Sequence, residues 1–278
     1  MPLPLPDTTL LLQMLALLAV IGAFAGVLAG LLGVGGGIVL VPGFFHAFGT
    51  LGYDGPQLMQ ICLATSLATI SVTSLRSVLS HNRKGAVDWA ILRGWAPGIM
   101  AGAVLGVLVA SALRSGTLQM LFGVLGIGIG LYLGFGRVTW RLGAVMPRGG
   151  LRLALAPVIG LLSVLMGIGG GSFGVPLMSL YGMAIHRAVA TAAGFGMTIA
   201  LPSVIGFLFL DIDPAHRPPL TVGAVNFVAF AVVVAMTLVT APLGVRLAHA
   251  TDATRLRRAF AVFLTLVAAN MLRKSLGW

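Results

Sequence analysis

The residues of this chain whose types and spacing could do chemistry are glycines first, and small polar side chains second. Gly33-Val34-Gly35-Gly36-Gly37-Ile38-Val39-Leu40-Val41-Pro42 is answered 134 residues later by Gly167-Ile168-Gly169-Gly170-Gly171-Ser172-Phe173-Gly174-Val175-Pro176. Each phrase interrupts an apolar run. Triple glycine is costly inside a helix, because glycine has the most backbone freedom to lose. Free of bulky side chains, Gly35, Gly36 and Gly37, and likewise Gly169, Gly170, Gly171 and Ser172, can turn sharply and present backbone N–H groups. The helix that follows would begin with unsatisfied donors and a partial positive charge, which together make an anion site. Small residues also serve close helix packing, and the Gly22/Gly26/Gly30 and Gly98/Gly102/Gly106 patterns are read that way. Packing alone does not require three glycines in a row followed by proline.

Polar side chains within apolar runs are the next candidates, since they are costly in lipid and usually face a partner or a path. Thr65 and Thr69 lie one helical turn apart, Thr191 occupies the corresponding run of the second half, and Asn226 opens a later run. For the threonines the competing reading is back-bonding to their own helix. Asn226 has no such local solution. Arg76, about one turn inside its run, would either snorkel to the surface or draw an anion into the mouth. These residues, with the glycines and Ser172, form the expected substrate site.

Other chemistries fare worse. Gly170-Gly171-Ser172-Phe173-Gly174 matches the hydrolase pattern G-x-S-x-G, but no strand-turn-helix setting or His/acid pair accompanies it. The first phrase lacks the third glycine and the acidic residue of a dinucleotide site. The single cysteine, Cys62, excludes an intrachain disulfide and any multi-cysteine metal site. No cofactor is expected. All six acidic residues are Asp, at Asp7, Asp54, Asp88, Asp211, Asp213 and Asp252, in loops or at run ends. A cation or proton carrier would hold carboxylates within the membrane, so the pattern favours an anionic or neutral substrate.

These residues must be positioned by membrane helices. Of 278 residues, 58% are hydrophobic and 8% charged, with a mean hydropathy of +1.06. That composition predicts an all-α, multi-pass membrane protein. The net charge of +11 sits in short loops, as the positive-inside rule expects, and argues for a lipid bilayer and against a nucleic-acid partner. The run from Leu10 is read as a retained span, not a signal peptide. Ten runs divide into two sets: residues 1–136 form a first repeat, 137–150 a basic linker, and 151–278 a second repeat. Gly26, Leu31, Val41 and Pro42 match Gly160, Leu165, Val175 and Pro176 at the offset of the glycine phrases; Ala64-Thr65 matches Ala190-Thr191, and Leu105-Gly106-Val107 matches Leu243-Gly244-Val245.

Arg83-Lys84, the linker arginines Arg137, Arg141, Arg148 and Arg152, and the cluster Arg246, Arg255, Arg257 and Arg258 are placed on the cytoplasmic side. Five segments per half then make the repeats inverted, each with a glycine-broken helix, as in transporters that bind substrate at the midplane. Arg273 and Lys274 fall outside in this scheme and fit it poorly.

At the glycine phrases the chain resembles the TauE/SafE sulfite exporter family, whose members carry G-x-G-G-G running into Val-Pro in each half. Here those residues are Gly33, Gly35–Gly37, Val41 and Pro42, with Gly167, Gly169–Gly171, Val175 and Pro176. The resemblance spans nearly the whole chain. It implies a bacterial inner-membrane transporter, not an enzyme, that exports sulfite, organosulfonates or related acids. A homo-oligomer is left open.

Overall fold

A computed structural model describes residues 8–32, 36–136, 140–250 and 253–277. These residues fold almost wholly into helices: α1 (Thr8–Leu32), α2 (Gly37–Thr50), α3 (Leu58–Arg83), α4 (Trp89–Ala112), α5 (Ser115–Phe135), α6 (Gly149–Leu165), α7 (Gly171–Leu180), α8 (Ile185–Leu208), α9 (Phe227–Ala250) and α10 (Ala253–Ser275). Among them, six are long and apolar enough to cross a membrane: α3, α4, α5 and α8 over their whole lengths, and Leu11–Leu31 and Phe227–Gly244 within α1 and α9. The all-α multi-pass class expected from composition is what the chain adopts.

The ninth apolar run begins differently from its sequence pattern. Thr221–Val222 (β1) and Val225–Asn226 (β2) form a two-stranded antiparallel hairpin before α9 starts. Gly223, at φ +56°, makes the turn. β-branched residues on either side of a glycine suit a hairpin as well as they suit an apolar helix.

Helix packing follows the small residues. Along α4 and α6, Gly98 lies against Ala156, Gly102 against Pro157 and Gly106 against Val164, so the two helices run parallel. Gly22 and Gly26 of α1 meet Val233 and Thr237 of α9, and Gly244 meets Val27, again parallel. Gly123, Gly126 and Gly134 of α5 meet Leu272, Ala268 and Ala261 of α10, which is antiparallel. At all of these but Gly134 the facing helix approaches to a distance that a Cβ would block, which is how helices gain van der Waals contact in lipid. Further large contacts join α8 to α3 and to α4. Exchanging α1–α5 for α6–α10 maps α1·α9 onto α6·α4 and returns α5·α10 and α3·α8 to themselves.

Loops gather at two opposite ends. At one, Gln57 Nε2 donates to Asp211 O at 3.5 Å, Ser115 N–H donates to Pro56 O at 3.1 Å, and Lys274 shares a cavity wall with Asp54. At the other, Arg187 pairs with Asp88 at 3.1 Å, Leu142 N–H donates to Leu180 O at 2.8 Å, and Arg152 lies against Gly94.

Candidate functional site: the glycine junction

The second glycine phrase is a helix stop followed at once by a helix start. Gly167 takes φ +61°. Its N–H donates to Val164 O at 2.9 Å, and Ile168 N–H donates to Ser163 O at 2.9 Å. That pair of bonds is a Schellman cap, which needs a left-handed residue at Gly167. Gly170 then caps α7 with φ −61° and no capping side chain. A Cβ on Gly170 would fall on the Cβ of Phe195 and within 2.8 Å of Ala192 O, so α8 packs directly on this backbone.

The first turn of α7 has spare donors. Gly174 N–H is the first to bond back, to Gly170 O at 2.8 Å. Among the described residues, no acceptor meets the N–H groups of Gly171, Ser172 or Phe173. The Ser172 hydroxyl, on a residue 4% exposed, also lacks a hydrogen-bond partner. Buried polar groups in folded proteins are nearly always paired; this turn combines the open donors of a helix start with an unpaired hydroxyl.

The first phrase meets the second at Gly167 and Ile168. Gly36 caps α2 as Gly170 caps α7, with φ −70° and no side-chain cap. A Cβ on Gly37 would stand 2.8 Å from Gly167 O and 2.9 Å from Ile168 Cα. Ile70 of α3 touches both phrases, through Cδ1 at Gly37 and Cγ2 at Gly169, and Ser66 Oγ donates to Gly167 O at 2.7 Å. Gly36, Gly37, Gly169, Gly170 and Gly171 are all buried. Gly36 lies level with Ala25 of α1, and Gly170 level with Phe195 of α8, so both short helices begin in mid-bundle. Each helix N-terminus carries roughly half a positive charge. The described carboxylates, at Asp54, Asp88, Asp211 and Asp213, sit at helix boundaries and in loops. Gly35 lies outside the described residues.

Thr65, Thr191 and Asn226 are engaged in hydrogen bonds between helices. Thr65 Oγ1 accepts from Asn226 N–H at 3.0 Å. Asn226 Oδ1 in turn accepts from Ala229 N–H at 2.8 Å, capping α9, while Nδ2 donates to Pro219 O and Thr221 Oγ1. In the other half, Thr191 Oγ1 accepts from Asp88 N–H at 3.0 Å, and Asp88 Oδ1 caps α4 at Ile91 N–H, 3.1 Å. The offset that aligns Leu105-Gly106-Val107 with Leu243-Gly244-Val245 also aligns Asp88 with Asn226. One latch is thus made twice, once toward each end: a buried threonine holds the cap of the neighbouring helix. Thr69 Oγ1 donates back to Thr65 O at 3.0 Å. Arg76 is exposed on α3 and has no hydrogen-bond or ion-pair partner among the described residues.

Comparison with known proteins places this architecture. The profile of the sulfite exporter TauE/SafE family matches residues 18–271. The chain belongs to the TauE/SafE family. A probable membrane transporter protein of Haemophilus influenzae is 30% identical over 262 residues, covering 91% of this chain and 96% of that protein. One from Methanocaldococcus jannaschii is 26% identical over 207 residues, 73% of this chain and 75% of its own length. One from Bacillus subtilis is 31% identical over 183 residues, 59% and 67%. No solved structure matches the chain. The TauE/SafE match contains both glycine phrases and both latches. It makes this a multi-pass membrane transporter, not an enzyme.

Within this TauE/SafE chain, sequence reasoning missed Asp88 and Ser66. Asp88 carries a signal in retrospect, its alignment with Asn226. Ser66 stands among eight hydroxyl residues of α3 and has no distinguishing mark.

Proposed function

We propose that the protein exports small sulfur oxyanions, sulfite or organosulfonates, from the cytoplasm by alternating access around the glycine junction. The observation that carries this is the first turn of α7, where three unbonded N–H groups and the unpaired Ser172 hydroxyl closely follow the Gly167–Ile168 turn that the start of α2 touches. An oxyanion offers several acceptors, which is what such a turn lacks, and the two helix N-termini favour negative charge. The family name, sulfite exporter, supports the sulfur chemistry. The exchange of packing partners between halves supports inverted repeats, with α1–α2 and α6–α7 entering from opposite ends. Gly36, Gly37, Gly169, Gly170, Gly171 and Ser172 line the site in this reading. Thr65, Thr191 and Asn226 act on it through the latches that hold α9 and α4 to α3 and α8. Arg76 stays an outlying attractor of anions.

A negative-inside potential drives an anion outward by roughly 2.3 kcal/mol per charge per 100 mV, so export needs no obligatory coupling ion. The test is flux of labelled sulfite in proteoliposomes under an imposed potential, with sulfonates and carboxylates as competitors. Saturable, potential-dependent flux with sulfonates competing best is the expected result. Flux competed equally well by carboxylates would make this a carrier of other small organic acids.

A further inference from the structure

Starting about one turn along α2 from the glycine junction, a crevice runs between α2 and α10. It comprises two adjoining cavities of about 430 and 390 Å³ that share Phe45, His46 and Lys274. The first is walled by apolar side chains, among them Val20, Phe24, Val39, Phe263 and Leu266. Phe24 and Leu266 are exposed on the flank of the bundle. The second has more polar side chains on its wall, among them Asp54, Ser115 and Gln119. Lys274 Nζ stands 5.9 Å from the centre of the Phe45 ring, where the two meet. Neither Lys274 nor Asp54 is paired with an opposite charge among the described residues.

Polar and charged side chains become more frequent along the crevice. Its apolar part lies beside the middles of α1, α2 and α10; its polar part lies where α2 and α10 end and where α3 and α5 begin. That is the profile of a lipid: chains in the hydrocarbon, head at the interface. Two unpaired charges of opposite sign at the head end ask for a headgroup that carries both. We propose that this crevice binds a glycerophospholipid whose headgroup combines a phosphate with a primary ammonium. The phosphate meets Lys274, the ammonium meets Asp54, and an acyl chain covers Phe24, Phe263 and Leu266. A small sulfur oxyanion would leave the apolar wall bare. A glycerol headgroup lacks the cation, and a trimethylated ammonium cannot donate hydrogen bonds to a carboxylate.

Native mass spectrometry on the purified full chain tests this, with phosphatidylethanolamine, phosphatidylcholine and phosphatidylglycerol of identical chains added in turn. Phosphatidylethanolamine is expected to be retained about three- to fivefold over the other two, the scale of one partly exposed ion pair. Lys274→Gln and Asp54→Asn, both at exposed positions, should each erase that preference while leaving the protein's melting temperature unchanged. Equal retention of the three lipids, or preference surviving in both variants, overturns the proposal. So does displacement of the lipid by sulfite or a sulfonate, which would make the crevice part of the substrate path. A second readout, quenching by lipids brominated on the acyl chain, should respond to Leu266→Trp, a reporter on the apolar wall. No quenching there would also overturn it.

Discussion

At the scale of single residues, Ser172 separates a binding site from a packing defect. Its hydroxyl is buried and unpaired, and removing such a group relieves a desolvation cost of about 1–3 kcal/mol. Ser172→Ala should therefore raise the melting temperature of the ligand-free protein in detergent. If the hydroxyl also bonds an oxyanion, the same variant loses a hydrogen bond to a charged group, worth about 1.5–3 kcal/mol. Half-saturation for flux should then rise about tenfold or more. Stabilisation without a change in flux would take Ser172 out of the site. Ser163→Ala is the control, because Ser163 Oγ is equally buried and unpaired but lies on α6, before the junction; it should stabilise and leave flux alone. In the sequence, Ser172 is marked over Ser163 only by its place in the glycine phrase. Its repeat partner is Ile38, so alignment of the halves points away from a hydroxyl at that place. The glycines beside it were legible, because only a demanding backbone explains three in a row twice.

At the scale of elements, helix boundaries were legible wherever a glycine or a charged loop punctuates the apolar runs, and illegible where pairing is distant. The hairpin before α9 hides inside an apolar run, since Thr221, Val222 and Val225 suit a strand and a membrane helix alike. The latches were half visible: Thr65, Thr191 and Asn226 stood out as polar residues in apolar company, but their partners lie 161 and 103 residues away. The latch makes a distinct prediction. Thr65→Val leaves the buried Asn226 N–H without an acceptor and should cost about 1–3 kcal/mol. Thr191→Val should cost less, because Asp88 is 21% exposed at its side chain and reaches water. Thermal unfolding of the two variants checks the order, and equal or negligible losses would show that the bonds do not hold the caps. Helix contacts make a second. Gly102 sits where a Cβ would strike Pro157 O, whereas nothing approaches Gly128 within 4 Å. Gly102→Ala should push α4 from α6 and lower the melting temperature. Gly128→Ala should raise it, by the roughly 0.5–1 kcal/mol that alanine gains over glycine in a helix.

At the scale of the whole molecule, the decisive quantity is which end faces the cytoplasm. Arg273 and Lys274 looked out of place as external residues, yet the fold puts Lys274 beside Asp54, at the end that also holds Asp211. Arg141, Arg152 and Arg187 gather at the opposite end, with Asp88 the carboxylate among them. Basic residues near membrane helices stay cytoplasmic, so the end with Arg83 and Lys84 should be inside and both the 209–220 loop and the C-terminus outside. The chain suits a labelling test, because Cys62 is its single cysteine and is fully buried; the parent protein should stay silent toward a membrane-impermeant maleimide. Lys84→Cys, Asp213→Cys and Leu276→Cys place new thiols on exposed positions. In intact cells, Asp213→Cys and Leu276→Cys should react, and Lys84→Cys should react only after permeabilisation. The reverse pattern would turn the molecule over, and with it the direction in which the membrane potential drives an anion. Reaction of Leu276→Cys together with Lys84→Cys, but not Asp213→Cys, would break the pairing of ends. It would leave α1–α2 and α6–α7 unable to enter from opposite sides, and the two helix N-termini would then lose their reason to meet in mid-membrane.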